Sequence, residues 1–491
     1  MIPFRAPVED ILAALSDADV GRLPGWSDET CREIVGHFAR FAEAEIAPLD
    51  EVGDRQCCRI ENGRVLMPDG FAAAYSAYAG QGWPGLGLPE EFGGQGLSAP
   101  ILGAVTEIFA GACHSLQMIC GLVPGAARTI LRFGTPEQKS RWLPRLACGD
   151  WLVTMAITEA GAGSDLSGIR TRAARASGGW RVEGEKVFIS GGDQNLSQRI
   201  LHLVLARTGS PAEGVRGLGL FLVPSHDEAG ERAPVRVLRL EEKMGLHASP
   251  TCQMTYDGAP AEMVGEAGGG LAAMFTMMNH ARLDVALQGV AHAARAHDIA
   301  AAYAAARIQG GSPIAAHVGV RDMLSAMRET TLAARRLVQV ALVAMEAGDA
   351  PDLVDFLTPV CKVMGTQAGI HAADMAIQVL GGYGYLREYR VEQTWRDARI
   401  TAIYEGTNGI QALTLANRLL KAQGGRAADA FDRWAAKRVP AARIEDWRAW
   451  RQRVAVSPSP AELAEEFMQA TIILAASASN GSVTGTTPNI V

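Results

Sequence analysis

The spacing of apolar residues changes period twice along the chain. Up to about residue 150 apolar positions recur every three to four residues, which predicts a mostly helical segment. Within it, Ile101, Leu102, Val105, Ile108, Phe109 and Cys113 fall on one face of a helix over 101–121. A Gly/Pro-rich loop at 80–96 (GQGWPGLGLPEEFGGQG) interrupts this region. The run Gly134-Thr135-Pro136-Glu137-Gln138-Lys139 predicts a helix start, with Thr135 as N-cap, Pro136 as first helical residue and Gln138 as the reciprocal capping partner. From 151 to 265 short β-rich runs take over: Trp151–Ala156, Trp180–Val182, Lys186–Ile189, Ile200–Ala206, Leu218–Val223, Val235–Leu238 and Thr251–Tyr256. Turn residues separate them and no long helix intervenes, which predicts an antiparallel sandwich or barrel. From 266 the helical period returns. Val320, Leu324, Met327, Thr331, Ala334, Val338, Ala341 and Met345 alternate steps of four and three, a bundle seam ended by Gly348 and Pro351. Further helical patterns cover 353–380 and 407–421. After about 455 the chain is rich in Ala and Ser, and its closing run ASNGSVTGTTPNIV lacks periodicity and predicts poor order.

The pattern alone thus gives a multidomain α+β chain. An N-terminal helical domain (1–150) precedes a middle antiparallel β-domain (151–265). A C-terminal helical bundle (266–425) and a short extension (426–491) follow.

Composition narrows the function classes. The chain has 491 residues, 48% hydrophobic and 20% charged, enough to build extended cores rather than a disordered chain. A net charge of −7 argues against a broad phosphate-backbone surface, so no nucleic-acid partner is expected. No apolar run reaches the ~18 residues of a spanning helix, so no membrane partner is expected either. The start, Met1-Ile2-Pro3-Phe4-Arg5-Ala6-Pro7, has no apolar core and soon meets Glu9 and Asp10, unlike a signal peptide. Eight cysteines, at 31, 57, 58, 113, 120, 148, 252 and 361, show no CxxC spacing and predict a reducing, cytoplasmic compartment.

Candidate chemistry is sparse. Gly80-Gln81-Gly82-Trp83-Pro84-Gly85 matches GxGxxG formally, but Pro84 and the following Gly/Pro run make it a turn-rich connector. His292 and His297 are five apart, not on one helix face, and no metal site is expected. Three segments carry more. Ile157-Thr158-Glu159-Ala160-Gly161-Ala162-Gly163-Ser164-Asp165 follows a strand-like run. Its small residues and hydroxyls could form an anion nest, or a plain β-turn. Gln378-Val379-Leu380-Gly381-Gly382-Tyr383-Gly384-Tyr385 closes a helix, as a cap or as backbone laid along a cofactor. Glu405 stands in an apolar stretch just before Gly406. Burial there would raise its pKa toward that of a working base, and Thr407 could cap the next helix.

In order along the chain, these segments resemble the acyl-CoA dehydrogenase superfamily of flavoproteins. The matching run includes TEAGAGSD at 158–165, KVFISGG at 186–192, EKMG at 242–245, Arg307-Ile308-Gln309, and QVLGGYGYLREYRVEQTWRDARITAIYEGTNGIQ from Gln378 to Gln411. The resemblance covers about 70–421. Val264–Gln288 and Phe4-Arg5-Ala6-Pro7 look most similar to the 3-methylmercaptopropionyl-CoA dehydrogenase-like branch.

The resemblance implies a fold of N-terminal helices, a middle β-domain and a C-terminal four-helix bundle, with FAD bound between the last two and across a subunit interface of a homodimer or homotetramer. It implies oxidation of an acyl-CoA to a trans-2-enoyl-CoA in fatty acid metabolism, with electrons leaving to an electron-transfer flavoprotein. A carboxylate takes the α-proton while a β-hydride passes to flavin N5. Two hydrogen bonds to the thioester carbonyl steady the enolate. In the family these come from the catalytic Glu backbone N–H and the flavin ribityl 2′-hydroxyl. Glu405 falls on that Glu position. Some relatives carry the base before an arginine in the bundle, but here that pair is Ala281-Arg282.

Carried over position by position, Ile157, Thr158, Gly163 and Ser164 match the loop touching isoalloxazine and pyrophosphate. Phe188 matches an aromatic over the flavin, and Ser190 a hydroxyl near N5. Arg307 and Gln309 match the segment reaching the neighbouring subunit's FAD. Gln378, Gly382 and Thr407 match further FAD contacts. Asn279, Arg282 and Gly406 match positions near the substrate. The chain departs from the pattern in three places. Arg307-Ile308-Gln309-Gly310-Gly311 lacks the family's adenine-side aromatic, His317-Val318 replaces a His-Gln pair, and Ala160 replaces a proline. An oxidase or monooxygenase on the same fold is the rival within enzymes, and a DNA-associated stress protein the rival outside them. Arg438, Arg443, Arg448, Arg451 and Arg453 in the extension stand among Glu445, Asp446, Glu462, Glu465 and Glu466, which reads as a solvated face.

Overall fold

A computed structural model describes residues 2–479; of the closing run expected to be poorly ordered, Ala478 and Ser479 are buried at the end of a helix, and the rest, from 480 onward, lies outside the described residues. Helices dominate up to Ala147: α1 Val8–Asp17, α2 Asp28–Phe41, α3 Ala47–Gln56, α4 Phe71–Gly80, α5 Ala99–Cys120, α6 Leu122–Phe133 and α7 Pro136–Ala147. A hairpin, β1 Arg59–Glu61 with β2 Arg64–Leu66, interrupts them. The middle carries β3 Trp151–Ala156, β4 Arg172–Ala176, β5 Gly179–Ser190, β6 Arg199–Arg207, β7 Leu218–Pro224, β8 Val235–Leu240 and β9 Thr251–Val264. Beyond it run α8 Gly270–Ala306, the two-residue pair β10 Ile308–Gln309 and β11 Ser312–Pro313, α9 Val318–Ala347, α10 Pro351–Leu380, α11 Val391–Arg399 and α12 Asn408–Leu413. The extension forms α13 Arg426–Ala436, α14 Ala441–Val456 and α15 Ala464–Ser479.

The chain divides into two compact units. Among the described residues, one holds 2–47, 98–112 and 282–479; the other holds Pro48–Leu97 and Cys113–Ala281.

In the second unit the strands pair in the order β3-β6-β4-β5-β9-β7, and β7 pairs back to β6, so the ladder closes on itself. The strands β3 and β8 flank this ladder, paired only with β6 and β9 respectively. The expected all-antiparallel sheet is corrected here: β3 and β6 run parallel, Trp151 opposite Arg199 through Ala156 opposite Val204. The helices α6 and α7 that precede β3 cover it. The α7 start has the expected capping box, with Gln138 N donating to Thr135 Oγ1 at 3.2 Å and Thr135 N to Gln138 Oε1 at 3.1 Å. Val182, Val204, Phe221, Met254 and Tyr256 build the core of the closed sheet. In β5 the register against β9 shifts between Lys186 and Ile189. That bulge frees the segment that holds Phe188.

In the first unit the α9 seam faces inward as its spacing predicts, with Met327, Thr331, Ala334, Val338 and Ala341 buried, and Gly348 caps it at φ +67°. The helices α8 and α10 meet backbone to backbone. A Cβ added at Gly289 would run into the Gly365 carbonyl, and one at Gly365 into the Ala286 carbonyl. One at Gly369 would lie 2.6 Å from Gly289 O. Arg335 on α9 makes a fork to Glu107 on α5, with Nε and Nη2 at 2.9 and 2.7 Å from Oε1, and both side chains are 1% exposed. The extension shares this core. Phe431 stacks on Phe356 at 4.7 Å between centroids, and Trp447 and Phe467 are buried beside them.

Three local expectations need correction. The helix α5 is buried almost all round rather than on one face, and it breaks helical geometry at Cys113. It is also long and apolar enough to cross a membrane by composition, but 89% of its most apolar window is buried inside the protein. The pattern over 407–421 is α12 followed by a wider π-helical turn, Thr414–Leu419, not one α-helix. The GxGxxG match is the connector expected of it: Gly80 ends α4 and a 3₁₀ turn follows, with no strand immediately before it.

Buried neutral histidines give the fold a pH dependence. Burial pushes His202 and His292 from 6.5 down to about 4. The unfolded chain therefore binds protons between those values that the folded chain refuses. Stability is complete above about 6.5 and falls as pH drops toward 4, by roughly 3 kcal/mol per histidine. Urea midpoints at pH 7.5 and 5 should fall less in His202→Gln than in the native protein. Equal falls would remove His202 as a source of the dependence.

Candidate active site

The turn after α11 carries Glu405 in a left-handed conformation, φ +55°, followed by Gly406 at φ +84°. A non-glycine residue there costs of order 1–3 kcal/mol and needs support from its surroundings. That support comes from three elements. Gln411 Nε2 on α12 donates to the Glu405 and Gly406 carbonyls at 3.1 and 3.3 Å, and Arg282 Nε on α8 donates to the Glu405 carbonyl at 3.3 Å. A Cβ at Gly406 would sit 2.7 Å from Gln411 Nε2, so the glycine is needed for this contact as well as for its φ. Thr407 caps α12 through Oγ1, which accepts from Ile410 N at 3.2 Å. On α10, Lys362 Nζ donates to Asn408 Oδ1 at 2.9 Å, and Thr366 Oγ1 lies 3.1 Å from Asn408 Nδ2. Tyr404 beside Glu405 donates its hydroxyl to Gln288 Oε1.

The backbone of this turn is thus fixed while the carboxylate is not. Glu405 Oε2 is shut off from water and has no hydrogen-bond partner among the described residues. Burial pushes the Glu405 carboxyl up to about 7, against the opposing pull of Arg282 and Lys362. Such a group can take and return a proton near neutral pH.

The sheet unit presents a second surface. Glu159 and Ala162 exchange backbone hydrogen bonds at 3.0 Å, tying the 157–165 loop into a turn. Buried Lys186 anchors it, donating to Ile157 O and Glu159 Oε1, both at 2.8 Å. Val187 N donates to Thr158 O at 2.9 Å, which sets the loop beside the β5 bulge. Ile157 is buried, Thr158 half-buried, and Gly163 and Ser164 exposed. Phe188, at φ +60°, turns its ring outward and is 62% exposed, with half-buried Ser190 two residues on. No described atom lies within 4 Å of a Cβ built at Gly161 or Gly163. Asn279 is exposed on α8.

The helical unit presents a third. Exposed Arg307 and Gln309 lie on the β10–β11 turn, which is closed by Ile314 N donating to Arg307 O at 2.8 Å and by His317 Nε2 at 3.2 Å from Gln309 O. The Arg307 guanidinium lies over the Tyr383 ring at 5.7 Å. Gln378 and Gly382, at the end of α10, are also exposed, and space is open around Gly381 and Gly382.

The structure therefore gathers Glu405, Gly406, Thr407 and Arg282 at one turn. It sets Arg307 beside the 381–385 segment and Ile157, Thr158, Gly163, Ser164 and Phe188 around one loop and bulge. On the sheet unit an outward aromatic, open glycines and hydroxyls suit a flat ring system, and on the helical unit a guanidinium beside open glycines suits a diphosphate, the two chemistries that FAD presents. Sequence reasoning missed Lys362, Gln411, Lys186 and the anchoring role of Glu159. Lys362 had a signal: it is the lone cation in the apolar run from Leu357 to Ile370.

The chain belongs to the acyl-CoA dehydrogenase family, matching its N-terminal domain over residues 28–150, its middle domain over 154–259 and its C-terminal domain over 268–420. It is 40% identical over 459 residues to the 3-methylmercaptopropionyl-CoA dehydrogenase of Ruegeria pomeroyi, covering 87% of this chain and 78% of that one. Among solved structures it resembles butyryl-CoA dehydrogenase from Megasphaera elsdenii, with TM-score 0.71, 26% identity, and coverage of 80% of this chain and 98% of that one. A chain solved in work on the electron transferring flavoprotein of Acidaminococcus fermentans gives TM-score 0.72 and 26% identity over 81% of this chain and all of that one.

Proposed function

We propose that the protein oxidises an acyl-CoA thioester to the trans-2-enoyl-CoA, with Glu405 as the base that removes the α-proton. The observation that carries this reading is the Glu405 carboxylate: half-buried, with Oε2 shut off from solvent and unpartnered among the described residues, its pKa pushed up to about 7 on a turn whose backbone is braced from two helices. Bound FAD would supply the acceptor for the β-hydride. The Glu405 backbone N–H would steady the thioester oxygen as negative charge develops. Arg282 holds the turn through the Glu405 carbonyl. Phe188, Ser190 and the 157–164 loop would hold the ring and pyrophosphate, with Arg307, Gln309, Gln378, Gly382 and Thr407 as further cofactor contacts. Asn279 and Gly406 would lie along the substrate.

The relative from Ruegeria pomeroyi is named for a thioether-bearing acyl group, so a short or modified acyl chain is the first substrate class to test. An electron-transfer flavoprotein is the proposed acceptor. A homodimer or homotetramer is proposed because Ile308, Val318, Tyr385 and Leu386 stand exposed on the helical unit. A cytoplasmic setting fits cysteines that form no disulfide among the described residues. Nucleic-acid binding is disfavoured because Arg448 and Arg451 pair with Asp432 and Asp429, while Arg438 and Arg453 lie over Trp434 and Trp450.

The test is an anaerobic titration of the flavin-loaded protein with acyl-CoAs of graded length and substituent. Bleaching of the flavin by one class supports the reading and gives the substrate range. A yellow protein that none of them bleaches overturns it, and rapid re-oxidation by O₂ would redirect it to an oxidase.

A further inference from the structure

Two cations and one carboxylate share the interior of the helical unit, and the site reading above uses only Arg282 and Glu405. The third member is Lys362. It lies mid-way along α10 and is fully buried. A buried ammonium is expensive unless it is paired and hydrogen-bonded. Lys362 Nζ donates to a neutral amide, Asn408 Oδ1 at 2.9 Å, and its charge is favoured by Glu405 and opposed by Arg282. Asn408 is the first residue of α12, three positions after Glu405, and Thr366, one turn along α10 from Lys362, holds the same amide. Lys362 is thus tied mechanically to the turn and electrically to the carboxylate it carries.

We propose, building on the reading of Glu405 as the base, that Lys362 is a positioning residue that sets the proton affinity of Glu405. Its ammonium lowers the cost of the Glu405 carboxylate, whose Oε2 is shut off from solvent. Its bond to Asn408 keeps the ammonium from swinging onto Glu405 as a direct salt bridge, which would occupy the oxygen that must receive the proton. The charged and titratable groups that face this pair are Arg282 from α8 and Tyr404 from the turn itself; Arg418, from the turn after α12, acts on Arg282 rather than on the pair. Arg282 stays charged and Tyr404 is pushed far up by burial, so Lys362 and Glu405 are the two groups that titrate near neutrality. Burial brings the Lys362 ammonium down to about 7, where the carboxyl also lies, so protonation of one is felt by the other.

The coupling can be read without any acyl-CoA turnover. In the FAD-loaded protein, an infrared pH titration would follow the protonated-carboxyl band that Glu405→Gln abolishes. Lys362→Met should move its midpoint upward by about one pH unit or more, as loss of a nearby opposite charge requires. Asn408→Ala, which keeps the ammonium but releases it toward Glu405, should not raise the midpoint and should instead lower it. An unmoved midpoint in Lys362→Met overturns the proposal. An equal upward shift in Asn408→Ala also overturns it, because turn geometry rather than charge would then be responsible. The reverse measurement covers the case in which Lys362→Met does not fold. Selective ¹⁵N-lysine spectra should show the Lys362 ammonium losing its proton at lower pH in Glu405→Gln than in the native protein, since the coupling is reciprocal. An unchanged lysine titration overturns the proposal. If these shifts appear but no acyl-CoA bleaches the flavin, the proposed reaction falls and the coupling stands. If acyl-CoA is oxidised and the shifts are absent, the reverse holds.

Discussion

Glu405→Gln should fold, keep its turn and bind flavin, yet reduce that flavin with acyl-CoA at least about a hundredfold more slowly, and up to about 10⁴-fold, the range a positioned base contributes. The substitution is close to isosteric, and the hydrogen bonds that brace the turn run through backbone carbonyls that glutamine retains. The loss therefore isolates the carboxylate. Stopped-flow flavin reduction measures it directly, and the far-UV spectrum and flavin absorbance report on the fold. The native rate should also rise with pH through about 7 as Glu405 ionises, and the glutamine variant should lose that limb. Full turnover in the variant would end the assignment of Glu405 as the base.

The second large effect concerns stability. Glu107→Ala should destabilise the protein by about 3–5 kcal/mol, because it leaves the Arg335 guanidinium buried without its main partner. Asp10 lies 3.9 Å from Arg335 Nη1, too far to replace a bidentate carboxylate, and Nη1 itself has no hydrogen-bond partner among the described residues. For a protein with a typical stability of about 5–15 kcal/mol, that loss is a large fraction. The double variant Glu107→Leu, Arg335→Met removes both charges and should recover most of the loss. Urea unfolding of the two variants and the native protein tests this. A single variant as stable as the native protein would mean that water or Asp10 solvates the arginine.

Much of this architecture was legible because it follows from local pattern. The α9 seam, the Thr135 cap and most strand cores depend on residues that meet their neighbours a few positions away. Glu405 stood out because an acid in an apolar stretch before a glycine has few structural uses. What the sequence hid was mostly decided by distant partners. The parallel pairing of β3 with β6 joins segments that no periodicity connects. The strand β4, with the sequence RAARA, has four of five residues exposed and no apolar alternation to mark it. The helix α15 is buried nearly all round beneath an Ala-rich sequence that shows no single apolar face. Lys186 and Glu159 look like ordinary surface charges until the fold closes over them.

The direct contact of α8 with α10 has a consequence for how this protein can change. Arg282 lies about two helical turns from Gly289, and Lys362 about one turn from Gly365. The spacing of the two cations is therefore inherited from a gap set by main-chain atoms alone, like two marks on a ruler with no adjustable part. Substitutions elsewhere can reshape the space for the acyl group without disturbing that interval. Any side chain at Gly289 or Gly365 would pry the helices apart and move both charges away from the carboxylate at once. On the proposed reading, acyl preference is free to drift in such a design, while the acidity of Glu405 is locked to the backbone.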